Sequence, residues 1–364
     1  MEIEWPLNKC LGMNEEEIIK SNRNKIYERL DYLPEPKDYH SKVSWIVQNQ
    51  IAATNGVHYI DRIGKLNEYP FYELPVNRVS GDKIMLDIGS GWGRWLISGE
   101  KKGYIPVGVD IRLEFCETQQ ETLKYHGVKG YSVVGDLENL PFQSCVFDLI
   151  WSFSVIQHTH IDRLTNCLKA IDSLLTESGF TYLEFPNKKG LRNSFGPVKH
   201  QDAYKDDYNS WDVRYYSPDE YKMIFEKYLK SFSYTNHSFL GIGVLKEDLK
   251  YVSLKNKILC SLSLLLSSMT HVVPGMKSLS DSLYIKALKK SISTENSGRN
   301  HFLKNHQSQT FSNLNVVPLL KCPKYGGSLV LSSDKKKLLS EEAGIYYQVV
   351  NDIPILISSE AKSI

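Results

Sequence analysis

The sequence predicts an α/β fold, a mostly parallel sheet covered by helices on both faces, across residues 81–290 of the 364-residue chain. Three observations predict it. Short apolar runs alternate with helical patterns from Lys83 onward, glycines close the helical stretches, and one strand runs straight into a glycine-rich turn and a helix.

Residues 1–80 are polar and aromatic, broken by Pro34, Pro36, Pro70 and Pro75. Val43, Ile46, Val47 and Ile51 recur at helical spacing, so Ser41–Ala53 reads as a helix within a segment capping the substrate side. The α/β pattern opens with a strand at Lys83–Ile88 and a helix at Trp92–Lys102 stopped by Gly103. A second strand at Ile105–Asp110 leads to a helix at Leu113–His126 ended by Gly127. Strands follow at Tyr131–Val134 and Val146–Trp151. Ile161, Leu164, Leu168, Ile171 and Leu175 mark the face of a helix between an N-cap at Thr159 and a stop at Gly179. Phe180–Phe185 is the fifth strand.

A polar, aromatic loop then runs to about Tyr216. Ser217-Pro218-Asp219-Glu220 reads as an N-cap, a first-turn proline and two carboxylates at the positive end of a helix dipole. Tyr221, Ile224, Phe225, Tyr228 and Leu229 are that helix's buried stripe. Ser231–Leu240 and Ser282–Leu288 are the sixth and seventh strands, with Gly241–Ser280 a helical insertion between them. Residues 291–312 read as a polar linker, and 313–358 as a small C-terminal α+β or β module.

Composition sets outer limits. Hydrophobic residues at 41% and charged residues at 24% describe an ordinary soluble globular protein. A net charge of +2 gives no global electrostatic case for a nucleic-acid partner, although a local basic patch stays open. Six cysteines lie far apart with no CxxC pair, which suits buried thiols in a reducing compartment. The start, MEIEWPLNKC, lacks a signal-peptide layout, so a cytoplasmic location is expected. Ile258–Val273 carries no Asp, Glu, Lys or Arg but is serine-rich, and falls short of the ~20 apolar residues that span a bilayer. Lys250, Lys255 and Lys257 precede it, and a basic flank beside an apolar helix can give peripheral membrane contact through residues 250–273. Burial against the main domain, or a contact between subunits of a homodimer, is the favoured expectation.

The chemistry concentrates in Leu86-Asp87-Ile88-Gly89-Ser90-Gly91-Trp92-Gly93-Arg94-Trp95. Alternate glycines let a ligand lie against bare backbone, and the helix start offers exposed N–H groups. The spacing is GxGxG rather than the GxGxxG of dinucleotide binders, and Asp87 precedes the first glycine by two. Val107-Gly108-Val109-Asp110 then places a carboxylate at the end of the second strand, where it can accept from two ribose hydroxyls or cap the next helix.

These residues resemble the class I S-adenosylmethionine-dependent methyltransferases over roughly residues 82–186, in five ordered blocks: LDIGSGWGRW, VGVD, VVGDLENLPF, FDLIWSFSVIQH and LLTESGFTYLEFPN. The resemblance implies a Rossmann-like seven-stranded sheet and S-adenosylmethionine as co-substrate. It implies that Asp87, Gly89, Gly91 and Gly93 cradle the methionine end, and that Asp110 binds the ribose. Asp136 and Leu137 would read the adenine, and Trp151, Ser152 and Phe153 would lie under the transferred methyl. His158, just past the fourth strand, is the first candidate for a general base, with local capping as its alternative. His200, Tyr204 and Tyr208 are weaker candidates for the acceptor pocket.

The tail, from Leu320-Lys321-Cys322-Pro323-Lys324-Tyr325 to Asn351-Asp352-Ile353-Pro354-Ile355-Leu356, resembles a zinc-ribbon family that includes methyltransferase activator subunits. Tyr325 stands where a second cysteine would be, and Glu341–Gly344 carries no second pair. Zinc needs four ligands, so a metal-free, degenerate module that packs on the main domain or mediates dimerisation is expected. The expected function is methylation of a small-molecule, glycan or lipid-linked acceptor. The alternatives are a tRNA or protein-residue methyltransferase and an inactive cofactor-binding regulator.

Overall fold

Five consecutive buried residues, Ile84–Ile88, make Lys83–Ile88 (β1) a strand covered on both faces, as a central parallel strand must be. The computed structural model describes residues 72–195, 213–240, 246–250, 253–292, 297–307 and 311–364. Ser41–Ala53, most of the expected cap, and His200, Tyr204 and Tyr208 lie outside these residues.

From β1 the chain enters α1 (Arg94–Lys101), β2 (Tyr104–Asp110), α2 (Leu113–Tyr125) and β3 (Tyr131–Gly135). It then crosses to β4 (Phe147–Ser152), α3 (Ile161–Leu174) and β5 (Leu175–Pro186). After α4 (Leu191–Phe195) come α5 (Pro218–Tyr228), β6 (Lys230–Ser238), α6 (Leu254–Met269) and β7 (Ser282–Leu288). Helix α7 (Ser297–His306) leads to β8 (Val330–Leu331), β9 (Lys337–Ser340), β10 (Ile345–Val350), β11 (Ile353–Leu356) and β12 (Lys362–Ser363).

The strands lie in the order β6-β7-β5-β4-β1-β2-β3-β11-β10-β9-β8, with β12 beside β10. β1 pairs in parallel with both β2 and β4. The chain therefore reverses its direction of travel across the sheet at β1, and the crevice beyond the ends of β1 and β4 is where such sheets hold ligands. β7 runs antiparallel between β5 and β6. The result is the mostly parallel, Rossmann-like α/β sheet with helices on both faces that the sequence predicts.

Several elements differ from expectation for local reasons. The helix before β5 starts one residue later, because His160 is its N-cap and accepts from Asp162 N, while the Thr159 hydroxyl donates back to Ile156 O. It also ends at Leu174 rather than near Gly179: Leu175 is extended and already pairs with Phe147. Ser217 caps α5 as expected, in a complete capping box with Glu220.

The expected linker 291–312 holds α7. Phe302 is fully buried edge-on against Tyr131 at 5.0 Å, and the Arg299 guanidinium donates to Asp148 (2.7 Å) and to Val146 O. The apolar helix, expected to be buried against the main domain or at a subunit contact, is not buried against the main domain along its large side chains: Leu254, Ile258 and Leu265 among them are exposed. The tail module joins the main sheet: β11 pairs in parallel with β3 at Ile355↔Val134 and Leu356↔Gly135. Cys116, Cys145, Cys167 and Cys322 are buried thiols, and Cys322 Sγ lies 3.5 Å from Tyr347 Oη. Among the described residues no His/Cys/Asp/Glu group could hold a metal ion, and no helix is long and apolar enough to cross a membrane.

Asn313 rivets this extension. Its side chain accepts from Ser132 N (2.7 Å) and donates to Ser132 O (2.9 Å), both buried, and to the partly buried Asp352 O (2.8 Å). Asn313→Ala leaves three backbone groups unpaired, so a loss of roughly 2–4 kcal/mol is expected in urea unfolding. An unchanged midpoint and slope would remove Asn313 from this role.

Candidate functional site

The register of β1 sets the site. Asp87 lies opposite Gly108 on β2 and Trp151 on β4, one residue before the strand ends. Its neighbour on one side has no side chain, so the carboxylate sits in the sheet with little beside it. Both carboxylate oxygens are buried without a hydrogen-bond partner. Burial pushes Asp87 up to about 8, with the Arg94 charge pulling the other way and Asp110 adding to the rise.

The turn that follows is held by Gly89 N and Ser90 N, both donating to Val109 O. Its glycines have separate causes. A Cβ on Gly89 would strike the Val155 side chain at 2.3 Å, so this position is emptied for packing. Gly91 has φ +50° and open space where a Cβ would be, which leaves its face free for a ligand. Gly93, also at positive φ, approaches Gln119.

Asp110 closes the far side. One carboxylate oxygen accepts from Gly91 N (3.0 Å) and the other from Arg112 N (3.1 Å). Each oxygen keeps a lone pair for another donor. Burial raises its proton affinity, and these backbone bonds oppose the rise. Ser90 Oγ and both polar atoms of Gln119 are also buried without partners, and they converge on the missing Cβ of Gly108. Buried orphan groups are rare, and several at one strand end mark a polar ligand's place.

Of the other expected site residues, Asp136 caps a short 3-10 turn by accepting from Glu138 N (3.0 Å), and Leu137 begins that turn. Ser152 donates its hydroxyl to Ile88 O (2.9 Å), tying β4 to β1. His158 lies in a second 3-10 turn, with Nε2 3.3 Å from the Gln157 amide nitrogen and its carbonyl accepting from Arg214 Nη1 (2.6 Å).

Beyond β4 stands an aromatic wall that motif reading did not assemble. Trp95 meets Trp151 at 4.7 Å and Phe153 at 5.1 Å, and Trp151 stacks on Tyr182. Phe153 meets His237 at 5.1 Å, and His237 meets Tyr284 at 4.6 Å. The Arg94 guanidinium lies 4.9 Å from the rings of both Tyr72 and Phe153. Glu184 fixes the loop behind Phe153: it accepts from Ser154 N (3.1 Å) and Ser154 Oγ (2.9 Å), while Ser154 holds φ +56°. Burial raises the Glu184 proton affinity against those bonds. Glu184 had a sequence signal, a carboxylate near the end of a strand. His237, Gln119 and Tyr284 had none, because their places depend on strand order.

A methyltransferase-domain family model matches residues 85–179, which contain this turn and both strand-end carboxylates. The chain carries a methyltransferase domain. Its co-substrate is S-adenosylmethionine. Among curated proteins, a sphingolipid C9-methyltransferase of Candida albicans is 27% identical over 201 residues, covering 51% of this chain and 37% of that protein. UPF0434 protein PA2980 of Pseudomonas aeruginosa is 43% identical over 49 residues, 14% of this chain and 80% of that protein. Over this short C-terminal stretch the chain belongs to the UPF0434 proteins. Two solved structures are similar in shape. The PH0226 protein of Pyrococcus horikoshii has a TM-score of 0.41 at 16% identity, covering 58% of this chain and 83% of that one. The Haemonchus contortus phosphoethanolamine N-methyltransferase 2 complex with S-adenosyl-L-methionine has a TM-score of 0.40 at 17% identity, covering 58% and 50%.

The residues fit this co-substrate. It brings an ammonium, a carboxylate, two ribose hydroxyls and a sulfonium, and the turn offers orphaned acceptors and donors beside an open glycine face.

The burial of Asp87 has a pH consequence. The folded protein keeps this proton up to about pH 8, whereas an unfolded Asp releases it near ~3.9. Between those values the unfolded state binds fewer protons, so ligand-free stability falls as pH rises. Melting temperatures should decline from pH 7 to pH 8, above the range in which histidines such as His237 take up protons in the unfolded chain, and Asp87→Asn should flatten the decline. A wild-type curve that rises over this range removes the assignment.

Proposed function

We propose that the chain transfers a methyl group from S-adenosylmethionine to a small-molecule, glycan-linked or lipid-linked acceptor held against the aromatic wall. The single observation that carries this is the unpartnered, buried Asp87 carboxylate beside the open face of Gly91. In this reading Asp87 receives the methionine ammonium, and the turn Gly89, Gly91 and Gly93 lines the same end. Asp110 receives the ribose hydroxyls through its remaining lone pairs. Asp136 and Leu137 face the adenine, and Ser152 and Phe153 underlie the reacting methyl. The bound co-substrate supplies an electrophilic methyl on a sulfonium. The protein's own work is alignment and exclusion of water, to which the packed rings of Trp95, Trp151, Phe153 and Tyr284 are suited.

A hydroxyl acceptor also needs a proton acceptor. Two imidazoles are at hand. Burial and the Arg94 charge push His237 down to about 3, which makes it a poor base. His158 is therefore the residue assigned to take the proton. The likeness to a sphingolipid C9-methyltransferase supports a lipid-borne acceptor among the three classes.

Titration calorimetry with S-adenosylmethionine tests the cofactor roles. Asp110→Ala should weaken binding by roughly 2–4 kcal/mol, the cost of two buried charge-assisted hydrogen bonds. Wild-type affinity in a folded variant would displace Asp110. Radiolabelled methyl transfer into separated lipid and polar cell extracts then names the acceptor class. On a hydroxyl acceptor so found, His158→Ala should slow turnover by about 10²-fold or more, and a variant within a few-fold of wild type would return His158 to a capping role.

A further inference from the structure

Helix α6 is amphipathic the wrong way round for a helix facing water. Its inward face is small and polar. Cys260 and Ser263 are 1% and 3% exposed, and Ser263 Oγ both accepts from Phe239 N (3.0 Å) and donates to Phe239 O (2.9 Å). Just past the helix end, the Thr270 hydroxyl donates to Asn236 Oδ1 on β6 (2.8 Å). Its outward face is large and apolar. Leu254, Ile258, Leu262, Leu265 and Met269 recur every three or four residues, at exposures from 40% to 77%. Val272 continues the stripe beyond the helix at 82%. A helix buries its apolar stripe wherever it can, and a patch this continuous marks a surface that meets something apolar.

The charge around the stripe identifies that partner. From Leu249 to Ser280 the sequence has no Asp or Glu, but it has Lys250, Lys255, Lys257 and Lys277. Lys257 lies in the first turn of α6, Lys250 ends a short 3-10 turn four residues before the helix, and Lys277, past its end, lies over the Tyr234 ring at 4.8 Å. An apolar stripe with basic residues at both ends and no acid between matches an anionic lipid surface. Length decides how it sits there. Sixteen residues make a helix of about 24 Å, shorter than the ~30 Å hydrocarbon core, so it lies along the interface instead of spanning.

We infer that α6 is a lipid-surface anchor, its outward leucine stripe lying in the headgroup layer of an anionic bilayer. The helix hangs from β6 and the residues just after it, next to His237 and the aromatic wall. An anchored molecule therefore presents its acceptor side to the membrane. The anchor stands on exposure and charge, and holds whether or not the methyl-transfer reading does.

Cosedimentation of the full chain with vesicles tests it. Binding is expected to vesicles of phosphatidylcholine mixed with phosphatidylglycerol at low salt, with release as salt rises. Leu262→Glu with Leu265→Glu should cut the partition coefficient by about tenfold or more. Lys250→Glu with Lys257→Glu should cut it on the anionic vesicles, and both variants should keep the wild-type melting temperature because the altered side chains make no packed core. Three results overturn the inference. One is no binding of the wild type to anionic vesicles at low salt. Another is equal binding by the leucine variant. The third is a dimer in sedimentation velocity that the leucine variant dissolves while vesicles bind neither, which would make a second copy the occupant.

Discussion

A carboxylate buried at the end of a central strand with nothing to pair it is the constraint that organises this molecule. Asp87 cannot be moved to the surface, because β1 is flanked by β2 and β4 and covered on both faces. Its opposite neighbours do not satisfy it either: one is glycine, and the indole N–H of the other, Trp151, makes no hydrogen bond to it. A fold that retains such a group accepts a destabilised ligand-free state. The surrounding choices are consistent with this. Gly91 leaves backbone bare, Asp110 ties that backbone to β2, and Glu184 holds Ser154 in a left-handed turn so that Phe153 faces the same crevice.

Those parts that a short stretch of chain determines were legible in the sequence. The bounds of β1 and β7 follow from their apolar runs, and Ser217 with Glu220 announces its own capping box. The turn at Asp87–Gly93 is likewise local, because strand, glycines and helix start are consecutive. Parts fixed by tertiary pairing were not legible. Leu175 has helical periodicity with its predecessors, yet pairing with Phe147 draws it into β5. Residues 297–306 look like polar linker because Phe302 is their one fully buried residue. His237 and Tyr284 reach Phe153 only because β7 inserts antiparallel between β5 and β6.

The inversion of α6 shows the same limit from another side. Apolar content and serine content are readable along the chain, but which set faces inward is decided by what the helix meets. Here Ser263 finds the backbone of Phe239, and a hydroxyl with two backbone partners holds that face in place. Two such bonds, at about 1 kcal/mol each, are small beside apolar burial worth about 1.5–3 kcal/mol for each leucine fully covered, so the outward stripe is a cost that only an apolar covering offsets.

The sheet also separates the two halves of the chemistry along its length. At one end β3 leads into Gly135 and Asp136, and β11 pairs directly with Gly135. The tail module thus stiffens the strand whose end carries the adenine side of the proposed site. At the other end β6 carries His237, and α6 is fastened to the residues around it. Between them the wall and the strand-end carboxylate are in direct contact through β4 and α1: Trp151 lies opposite Asp87, and the Arg94 guanidinium that sits on Phe153 also acts on the Asp87 charge. The order of the strands alone thus puts the tail module on the β3 side of the proposed site and α6 on the β6 side, with β1 and β4 between them.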